Sequence, residues 1–374
     1  MKILLIGNSL KSIYRFRYWM VKKLVSDGHE VVIACPFDVD LYPNQEKISY
    51  INIHLDGKST SLVSNLLLIA RFARIAFKVK PELSLFYSNK PALFAPIAFK
   101  LIKTVTVSIN TGFGSGFLML KGNLIILNKV FNFFYSFADY IVVLNQPDYV
   151  YMTDLVKLNS DKVKILPGEG VDLEEFKYNN PERNCNVIKF VFVGRLITDK
   201  GVKELIKASQ LLYKKFPGKF KLTVVGSRDA GHPKSINDYD MSLIRNLDYI
   251  DYIPYTDNIS KILVCSDVFV LPSYREGLSR SAMEACSVGR PLIVSSVPGI
   301  VELVNNGVNG FLCNPKEYVS LYQAMSNFFD IDAKTIVDMG RESYSMVSNR
   351  YNIDAVYKIF NCDIIQKVKI KQNK

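Results

Sequence analysis

Two glutamates eight positions apart, Glu276 and Glu284, are candidate ligand-binding carboxylates. Glu276 comes shortly after the apolar run Val268–Leu271, and Gly277 permits a sharp turn directly after it. One carboxylate is therefore predicted on a loop at the carboxyl end of a strand, and the other on the first turns of the next helix. Ligands of open α/β sheets bind at this edge.

The start of that helix is the second element of the pattern. Ser279 or Ser281 can cap a helix that begins near Ala282. Its free N–H groups and positive dipole end suit a phosphate, and carboxylates hydrogen-bond paired hydroxyls well. Together these features suggest a nucleotide-sugar. The plainer alternative is a helix with an acidic residue near its start, because two glutamates at this interval often arise by chance.

A basic loop precedes the two glutamates in the chain. After the apolar run Phe190–Val193, Gly194 lets the backbone approach a ligand, and Arg195 and Lys200 supply two cations. Two cations at a strand end suit a pyrophosphate. A strand-to-helix loop with ordinary surface charges is the alternative interpretation.

These segments together resemble a known family. The pattern P-S-x-x-E-G at 272–277 is followed by Glu284-Ala285, Gly289-Arg-Pro291, Pro298-Gly299 and Asn309-Gly310, and residues 194–201 resemble a G-R-L-x-x-x-K-G loop. The chain is similar to retaining glycosyltransferases of the GT-B fold, known as group 1 or family 4, which include capsule and O-antigen enzymes acting on polyprenyl-diphosphate-linked sugars. The resemblance implies an α/β protein with two doubly wound Rossmann-like domains facing each other across a cleft.

The resemblance also implies roles for named residues. Arg195 and Lys200 would stabilise the leaving diphosphate, Glu284 would bind the ribose hydroxyls, and Glu276 would bind sugar hydroxyls and support an oxocarbenium-like centre. Because no side chain is placed as a nucleophile, attack by the acceptor on the leaving-group face is the expected route. The expected catalytic residues are Glu276, Arg195 and Lys200, and the expected donor-binding residues are Gly194, Arg195, Lys200, Ile253, Glu276, Gly277, Leu278, Ser279 and Glu284. Tyr252 or Tyr255 could stack on the nucleotide base, or could pack in the core.

The first half of the chain offers polar groups for an acceptor. The loop predicted after the first strand, at 7–17, carries hydroxyls, an amide and cations suited to a diphosphate-bearing acceptor, although solvated charges are an equal alternative. A glycine-rich run after Val105–Ile109 resembles a loop of capsule-type transferases, but Asn110 and Thr111 stand where many relatives have a histidine. The expected acceptor or cleft residues are Asn8, Ser9, Lys11, Arg15, Arg17, Asn110, Thr111, Gly112 and Gly114.

Alternating apolar strands and helical stretches define the organisation of the chain. They predict two successive βα series, hence two doubly wound parallel sheets. We expect an N-terminal acceptor-side domain over 1–173 and a nucleotide-sugar-binding domain over 187–345, with a polar linker at 174–186. By resemblance, a C-terminal helix over 346–374 packs back on the first domain.

Composition narrows the compartment and the partners. No stretch of about 18 residues is uniformly apolar, so no membrane span is predicted. Six scattered cysteines fit a reduced cytosol and argue against a zinc site, so neither a metal nor a further cofactor is expected. The net charge of +12 is concentrated in residues 1–150, where 17 basic residues face 9 acidic ones. Apolar helical stretches with basic edges at 62–80 and 117–137 suit an anionic membrane surface, with a core position as the alternative.

We therefore expect a cytoplasmic transferase, peripheral on the inner face of the cytoplasmic membrane. Its expected partners are a UDP-linked nucleotide-sugar and a lipid-diphosphate-linked saccharide, with no nucleic acid. A sugar-nucleotide epimerase of the same fold is the main alternative, and a basic nucleic-acid-binding protein is a weaker one because no recognised motif is visible. A GT-A transferase would need an Asp-x-Asp metal site, for which only Asp38-Val-Asp40 fits.

Overall fold

The computed structural model describes residues 1–39, 46–55, 61–112, 124–180, 187–229 and 231–372. The chain divides into two compact units, Met1–Glu169 with Val356–Lys374, and Gly170–Ala355. Gly114, Asp40 and residues 181–186 of the predicted linker lie outside the described residues, as do residues 117–123 of the second apolar stretch.

The first unit is built on a parallel sheet of seven strands in the order β3-β2-β1-β4-β5-β6-β7. The inner strands are almost wholly buried apolar runs, as expected where helices cover both faces of a parallel sheet. The strands are β1 Lys2–Ile6, β2 Glu30–Cys35, β3 Ile48–Asn52, β4 Leu83–Tyr87, β5 Val105–Ile109, β6 Tyr140–Val143 and β7 Val163–Ile165.

The helices of this unit connect successive strands. They are α1 Leu10–Ser26, α2 Leu62–Val79, α3 Asn89–Phe99, α4 Leu124–Ser136 and α5 Gln146–Val150, which continues as a π-helical turn over Tyr151–Leu155. The segment that returns from the second unit comprises the end of α12 Ile353–Phe360, a π-helical turn Asn361–Ile365 and α13 Gln366–Gln372. In this returning segment the Tyr357 hydroxyl donates to Asp27 at the end of α1, at 2.7 Å.

The second unit is built on a parallel sheet of six strands in the order β10-β9-β8-β11-β12-β13. Its strands are β8 Ile188–Val193, β9 Phe220–Val225, β10 Ile250–Ile253, β11 Val268–Leu271, β12 Leu292–Ser295 and β13 Gly310–Cys313. Its helices are α6 Val202–Lys215, α7 Asp238–Asn246, α8 Ile259–Val264, α9 Arg280–Ser287, α10 Tyr318–Ser326 and α11 Ala333–Arg350, with 3₁₀ turns at Thr198–Lys200, Val301–Leu303 and Asn327–Phe329. The prediction of two doubly wound parallel sheets is confirmed.

Two local predictions are corrected. The segment after β1 is not a loop as far as residue 17, because Ser9 caps a helix that already begins at Leu10 and accepts the Ser12 N–H at 3.0 Å. Helix α9 likewise begins at Arg280, two residues before the predicted start, because Ser279 is the capping residue.

Candidate functional site

The carboxyl edge of the second sheet gathers most of the residues expected to bind a donor. Strands β8 and β11 are neighbours, and the order of strands along the sheet reverses between them. Gly194 and Arg195 follow β8, whereas Glu276 lies on the loop that follows β11. Ligands of open α/β sheets bind outside such a reversal, so the two predicted segments meet where a site is expected.

A three-residue cluster forms the centre of this edge. Lys200 Nζ lies 2.5 Å from Glu276 Oε1, and the Ser273 hydroxyl donates to the same oxygen at 2.6 Å. The Glu276 side chain is 10% exposed and that of Lys200 is 21% exposed. Charge-assisted hydrogen bonds of this kind are the strong ones, so the carboxylate is held in one orientation.

The loop that carries Lys200 is locked against the loop that carries Glu276. The Tyr274 N–H donates to the carbonyl of Asp199 at 2.8 Å. Gly201 has a φ of +70°, and a Cβ there would lie 2.0 Å from the Pro272 carbonyl oxygen, so only glycine fits. The G-R-L-x-x-x-K-G and P-S-x-x-E-G segments are therefore one packed structure.

A third loop closes on Glu276 from β12. The Ser279 N–H donates to the Gly299 carbonyl at 3.3 Å. Gly299 has a φ of +81°, and a Cβ there would lie 2.4 Å from the Glu276 carbonyl oxygen and 2.3 Å from that of Gly277. The Pro298-Gly299 motif thus permits the close approach that fixes the backbone of Glu276 and Gly277.

Helix α9 presents the second glutamate. Ser279 is its N-cap, with the Ala282 N–H 3.4 Å from the hydroxyl, and both Ser279 and Glu284 are buried. The Arg280 Nε donates to Glu284 Oε1 at 2.8 Å, one helical turn away. The eight-residue interval therefore separates one carboxylate on the loop from another on the helix, as predicted.

The remaining predicted donor residues occupy the same edge. Arg195 is exposed, and its guanidinium makes no ion pair with any residue that the structure describes. Gly194, Leu278 and Ile253 are half-buried, the last at the end of β10. Arg195 is the residue of this group whose cation is open to an incoming anion.

A cavity of about 520 Å³ opens beside the end of β10. The Tyr252 hydroxyl donates to the Gly226 carbonyl at 3.2 Å, and the Arg245 guanidinium lies 6.0 Å from the centre of the Tyr252 ring. The residues that line this cavity are Ser227, Arg228, Asp238, Met241, Ser242, Arg245, Asn246, Tyr252 and Pro254. Of the two tyrosines considered for a base, Tyr252 therefore lines a cavity and Tyr255 is an exposed loop residue.

Sequence reasoning gave no role to five residues that support this edge. Lys234 Nζ binds both oxygens of Asp199, at 3.0 and 2.9 Å, and the Tyr274 hydroxyl donates to Glu204 at 2.7 Å. Burial, with Glu204 as acceptor, raises the Tyr274 pKa well above its usual value, which keeps the hydroxyl a donor. Ser273 belongs to the P-S-x-x-E-G motif. Pro272, which directly precedes it, was the sequence signal that could have drawn attention to this serine.

In the first unit the predicted acceptor residues divide into two groups. Asn8, Lys11 and Arg15 are exposed near the start of α1. Arg17, two residues on, is buried, with Nη2 2.5 Å from Glu169 Oε1 and its guanidinium 4.6 Å from the centre of the Tyr87 ring. The charge of Arg17 is therefore already matched by a carboxylate of the same unit.

The glycine-rich run after β5 begins at a structural asparagine. Asn110 is buried, and its side-chain oxygen accepts the Gly112 N–H at 3.0 Å while its amide donates to the Tyr135 hydroxyl of α4 at 3.4 Å. Thr111 and Gly112 are half-buried beyond it. Asn110 therefore ties the end of β5 to α4.

Asp38 of the considered Asp-x-Asp pair accepts the Lys11 N–H at 3.0 Å, at the start of α1. Burial opposes the charge of Asp38, but hydrogen bonds led by that N–H hold its pKa below the usual value. Within the described ranges, every helix is too short or too polar to cross a lipid bilayer.

Two doubly wound parallel-sheet units are the architecture of the GT-B class, and the matches to family models identify the chain as a glycosyltransferase. The chain belongs to the group 1 glycosyltransferases: residues 174–346 match the family model "Glycosyl transferases group 1", and residues 2–145 match "Glycosyl transferase 4-like". The expected resemblance is confirmed.

Three known proteins illustrate the similarity. The chain is 25% identical over 346 residues, 87% of this chain and 89% of the other, to N,N'-diacetylbacillosaminyl-diphospho-undecaprenol alpha-1,3-N-acetylgalactosaminyltransferase of Campylobacter jejuni. It is 26% identical over 314 residues, 79% of this chain and 78% of the other, to UDP-Gal:alpha-D-GlcNAc-diphosphoundecaprenol alpha-1,3-galactosyltransferase of Escherichia coli. The crystal structure of Anabaena HepE with UDP-glucose superposes with a TM-score of 0.75 at 18% identity, covering 97% of this chain and 99% of that one, and shares the fold.

Proposed function

We propose that this glycosyltransferase moves a hexose or N-acetylhexosamine from a UDP-sugar to a saccharide carried on a lipid diphosphate, in surface polysaccharide or glycan biosynthesis. The observation that carries the proposal is the pairing of Lys200 with Glu276 at the reversal between β8 and β11. A cation for the diphosphate and a carboxylate for the sugar hydroxyls stand side by side there, as the diphosphate and the sugar do in one donor.

The roles follow from charge and position. Arg195 and Lys200 stabilise the negative charge that grows on the leaving diphosphate, with the N-terminus of α9 assisting. Glu276 binds sugar hydroxyls and supports the positive charge of an oxocarbenium-like transition state, and Glu284 binds the ribose hydroxyls. The acceptor hydroxyl attacks on the face that the diphosphate leaves, which retains the anomeric configuration.

The substrate classes are supported by the relatives. The Escherichia coli relative is named for UDP-Gal as donor and diphosphoundecaprenol-linked GlcNAc as acceptor, and the Campylobacter jejuni relative for a diphospho-undecaprenol acceptor. The exposed cations Lys11 and Arg15, on one face of α1, suit the diphosphate of such an acceptor.

We also propose that the reaction needs no metal ion. The positive charge at the leaving group comes from Arg195, Lys200 and the start of α9, so the chain itself supplies what a divalent cation supplies elsewhere. Asp38 is engaged with the backbone of α1. Full transfer in the presence of EDTA is the expected result.

A lipid-linked acceptor requires the enzyme to reach a membrane, and we propose that the first unit binds an anionic bilayer surface on its cytoplasmic side. Helices α2, α3 and α4 pack side by side in chain order, and none contains an acidic residue. They carry five basic residues, Arg71, Arg74, Lys78, Lys90 and Lys129. Large apolar side chains are exposed on α2 and α4, namely Val63, Leu66, Leu67, Phe77, Leu124, Ile125, Ile126, Val130 and Phe133.

Such a surface joins apolar contact with positive charge, the combination that interfacial proteins use on anionic lipid. It also accounts for the concentration of positive charge in the first half of the chain. Nucleic acid would explain the charge but not the exposed leucines and isoleucines.

The test of the proposed function is a transfer assay. Purified protein is incubated with UDP-galactose, UDP-N-acetylgalactosamine or UDP-glucose and a short polyprenyl diphosphate N-acetylglucosamine, and the product is followed by mass spectrometry and its anomeric proton by NMR. We expect transfer from at least one UDP-sugar with an α-anomeric product. Consumption of donor without acceptor, giving an epimerised sugar, would favour the epimerase, and absence of both reactions would contradict the proposal.

A further inference from the structure

Ser273 is a fully buried serine whose hydroxyl meets one of the two oxygens of Glu276. It lies between the end of β11 and Glu276, and its Oγ donates to Glu276 Oε1 at 2.6 Å. Buried hydroxyls need partners, and a carboxylate is the strongest acceptor available to a serine. The side chain therefore contributes to the orientation of Glu276 rather than to the surface.

The two oxygens of Glu276 stand in different surroundings. Oε1 accepts both from Ser273 and from Lys200. Oε2 accepts no hydrogen bond from any residue in the described part of the chain, and it is not among the buried side-chain atoms without a partner. Oε2 is therefore the oxygen that a ligand hydroxyl can reach.

Lys200 has two possible anionic partners once a UDP-sugar is bound, the Glu276 carboxylate and the diphosphate. In the structure its ammonium is paired with Oε1 of Glu276, and the proposed reaction places a diphosphate, with more negative charge than a carboxylate, beside the same cation. As Lys200 turns toward the diphosphate, its bond to Oε1 weakens. Ser273 is then the remaining hydrogen-bond donor that holds Oε1 of Glu276.

We propose that Ser273 is a positioning residue for sugar transfer, which holds Oε1 of Glu276 so that Oε2 faces the donor sugar while Lys200 serves the diphosphate. This inference rests on the proposed function, because it needs Glu276 to contact the sugar. It assigns the serine of the P-S-x-x-E-G segment a role that depends on one hydrogen bond.

The backbone around Ser273 is fixed enough for this role. Pro272 before it packs on Gly201, and the Tyr274 N–H after it is bound to the Asp199 carbonyl. The hydroxyl is thus held by structure on both sides, and Glu276 is three residues further on. A hydroxyl fixed in this way can orient the Glu276 carboxylate, and it cannot move toward a bound ligand.

The test compares Ser273→Ala with Ser295→Ala. Ser295 is equally buried at the end of the neighbouring strand β12, but its hydroxyl pairs with Cys313 Sγ at 3.8 Å rather than with Glu276. For each variant we measure kcat, KM and the dissociation constants of UDP and of the UDP-sugar that the wild type transfers fastest. Ser273→Ala is expected to lose about 10- to 150-fold in kcat, the range of one charge-assisted hydrogen bond, while Ser295→Ala stays near the wild type.

Binding separates positioning from folding. UDP lacks the sugar, so Ser273→Ala should keep the wild-type affinity for UDP to within about twofold while losing the extra affinity for the UDP-sugar. In a Glu276→Ala background the partner of the hydroxyl is gone, so adding Ser273→Ala should lower kcat by no more than about twofold. A role in packing alone would give the same loss in both backgrounds.

The possible failures are distinguishable. If the wild type transfers no sugar, the proposed function fails and the positioning role fails with it. If the wild type transfers sugar but Ser273→Ala behaves as Ser295→Ala does, or weakens UDP as much as the UDP-sugar, only the role of Ser273 is overturned.

Discussion

The ammonium of Lys200 and Oε1 of Glu276 lie 2.5 Å apart, although 76 positions separate the two residues in the chain. They are proposed to bind adjoining parts of the donor, the diphosphate and the sugar, and in the structure they neutralise each other. On that proposal, a bound donor replaces one ion pair by two new contacts, diphosphate to lysine and hydroxyl to carboxylate. Because Lys200 and Glu276 each gain a new partner, breaking their ion pair leaves neither charge unpaired.

Replacing either partner by alanine should reduce transfer. Loss of one charge-assisted hydrogen bond costs about 1.5–3 kcal/mol, so Lys200→Ala and Glu276→Ala are each expected to lose roughly 10- to 150-fold in turnover. Lys200→Ala should also weaken UDP binding, because UDP retains the diphosphate, whereas Glu276→Ala should leave UDP affinity near normal. Initial rates and calorimetric titrations with UDP measure these effects.

Lys203→Ala is the matched control for Lys200→Ala. Lys203 lies on α6 just after the same loop, its side chain is 39% exposed, and it pairs with Asp240 at 3.7 Å. It should transfer sugar as the wild type does. Near-normal transfer by Lys200→Ala or Glu276→Ala would remove that residue from the mechanism.

The role of Glu284 can be tested by how strongly the protein prefers a nucleotide with an intact ribose. If its carboxylate binds the ribose hydroxyls, the wild type prefers UDP to 2'-deoxy-UDP, and Glu284→Gln should reduce that preference by about 1 kcal/mol, or roughly fivefold. Glutamine keeps the size of the side chain, so Arg280 retains an oxygen acceptor on α9. Competition binding with both nucleotides measures the preference, and the exposed Glu317→Gln is the control. An unchanged preference in Glu284→Gln would place the ribose elsewhere.

The sequence predicted the central strands well and missed three of the strands at the sheet edges. Strand β11 was predicted residue for residue as the apolar run Val268–Leu271, because a parallel strand covered on both faces is an uninterrupted apolar run. Strands β3, β7 and β13 were not predicted, and each is the last strand of its sheet. Edge strands are partly exposed, so their side chains lack the continuous apolar signal.

The site was predictable to the level of its segments but not of its contacts. The glycines and the two charged motifs showed which loops carry chemistry. The bond between Lys200 and Glu276 depends on β8 and β11 being neighbours in the sheet, which no local pattern records. Similarly, the burial of Arg17 beside the exposed Arg15 depends on the helix beginning at Leu10, since two residues along a helix point in different directions.

The pair formed by Arg17 and Glu169 predicts a stability effect. The side chains are 7% and 18% exposed, so removing the cation leaves a buried carboxylate unmatched. We expect Arg17→Met to destabilise the first unit by about 3–5 kcal/mol, the range for breaking a buried pair. Lys2→Met is the control, because the Lys2–Glu30 pair is 38% and 50% exposed and should contribute about 0–1 kcal/mol. Thermal unfolding compares the two, and equal midpoints would contradict the prediction.

The exposed apolar side chains of α4 allow a test of the proposed binding to an anionic lipid surface. Leu124 and Ile126 are 59% and 61% exposed, and a double change to glutamate removes apolar contact and adds negative charge facing anionic lipid. We expect Leu124→Glu/Ile126→Glu to bind vesicles of phosphatidylcholine and phosphatidylglycerol roughly tenfold or more weakly than the wild type, measured by co-sedimentation.

The matched control carries the same charge change on the second unit. Val308 and Val319 are 50% and 47% exposed there, and Val308→Glu/Val319→Glu should sediment with vesicles nearly as the wild type does. Added salt should weaken wild-type binding, since part of the attraction comes from basic residues on α2, α3 and α4. Transfer to a short, water-soluble acceptor should be the same in both double variants, because neither touches the donor edge. If both variants lose vesicle binding equally, net charge rather than the α4 surface governs the attachment.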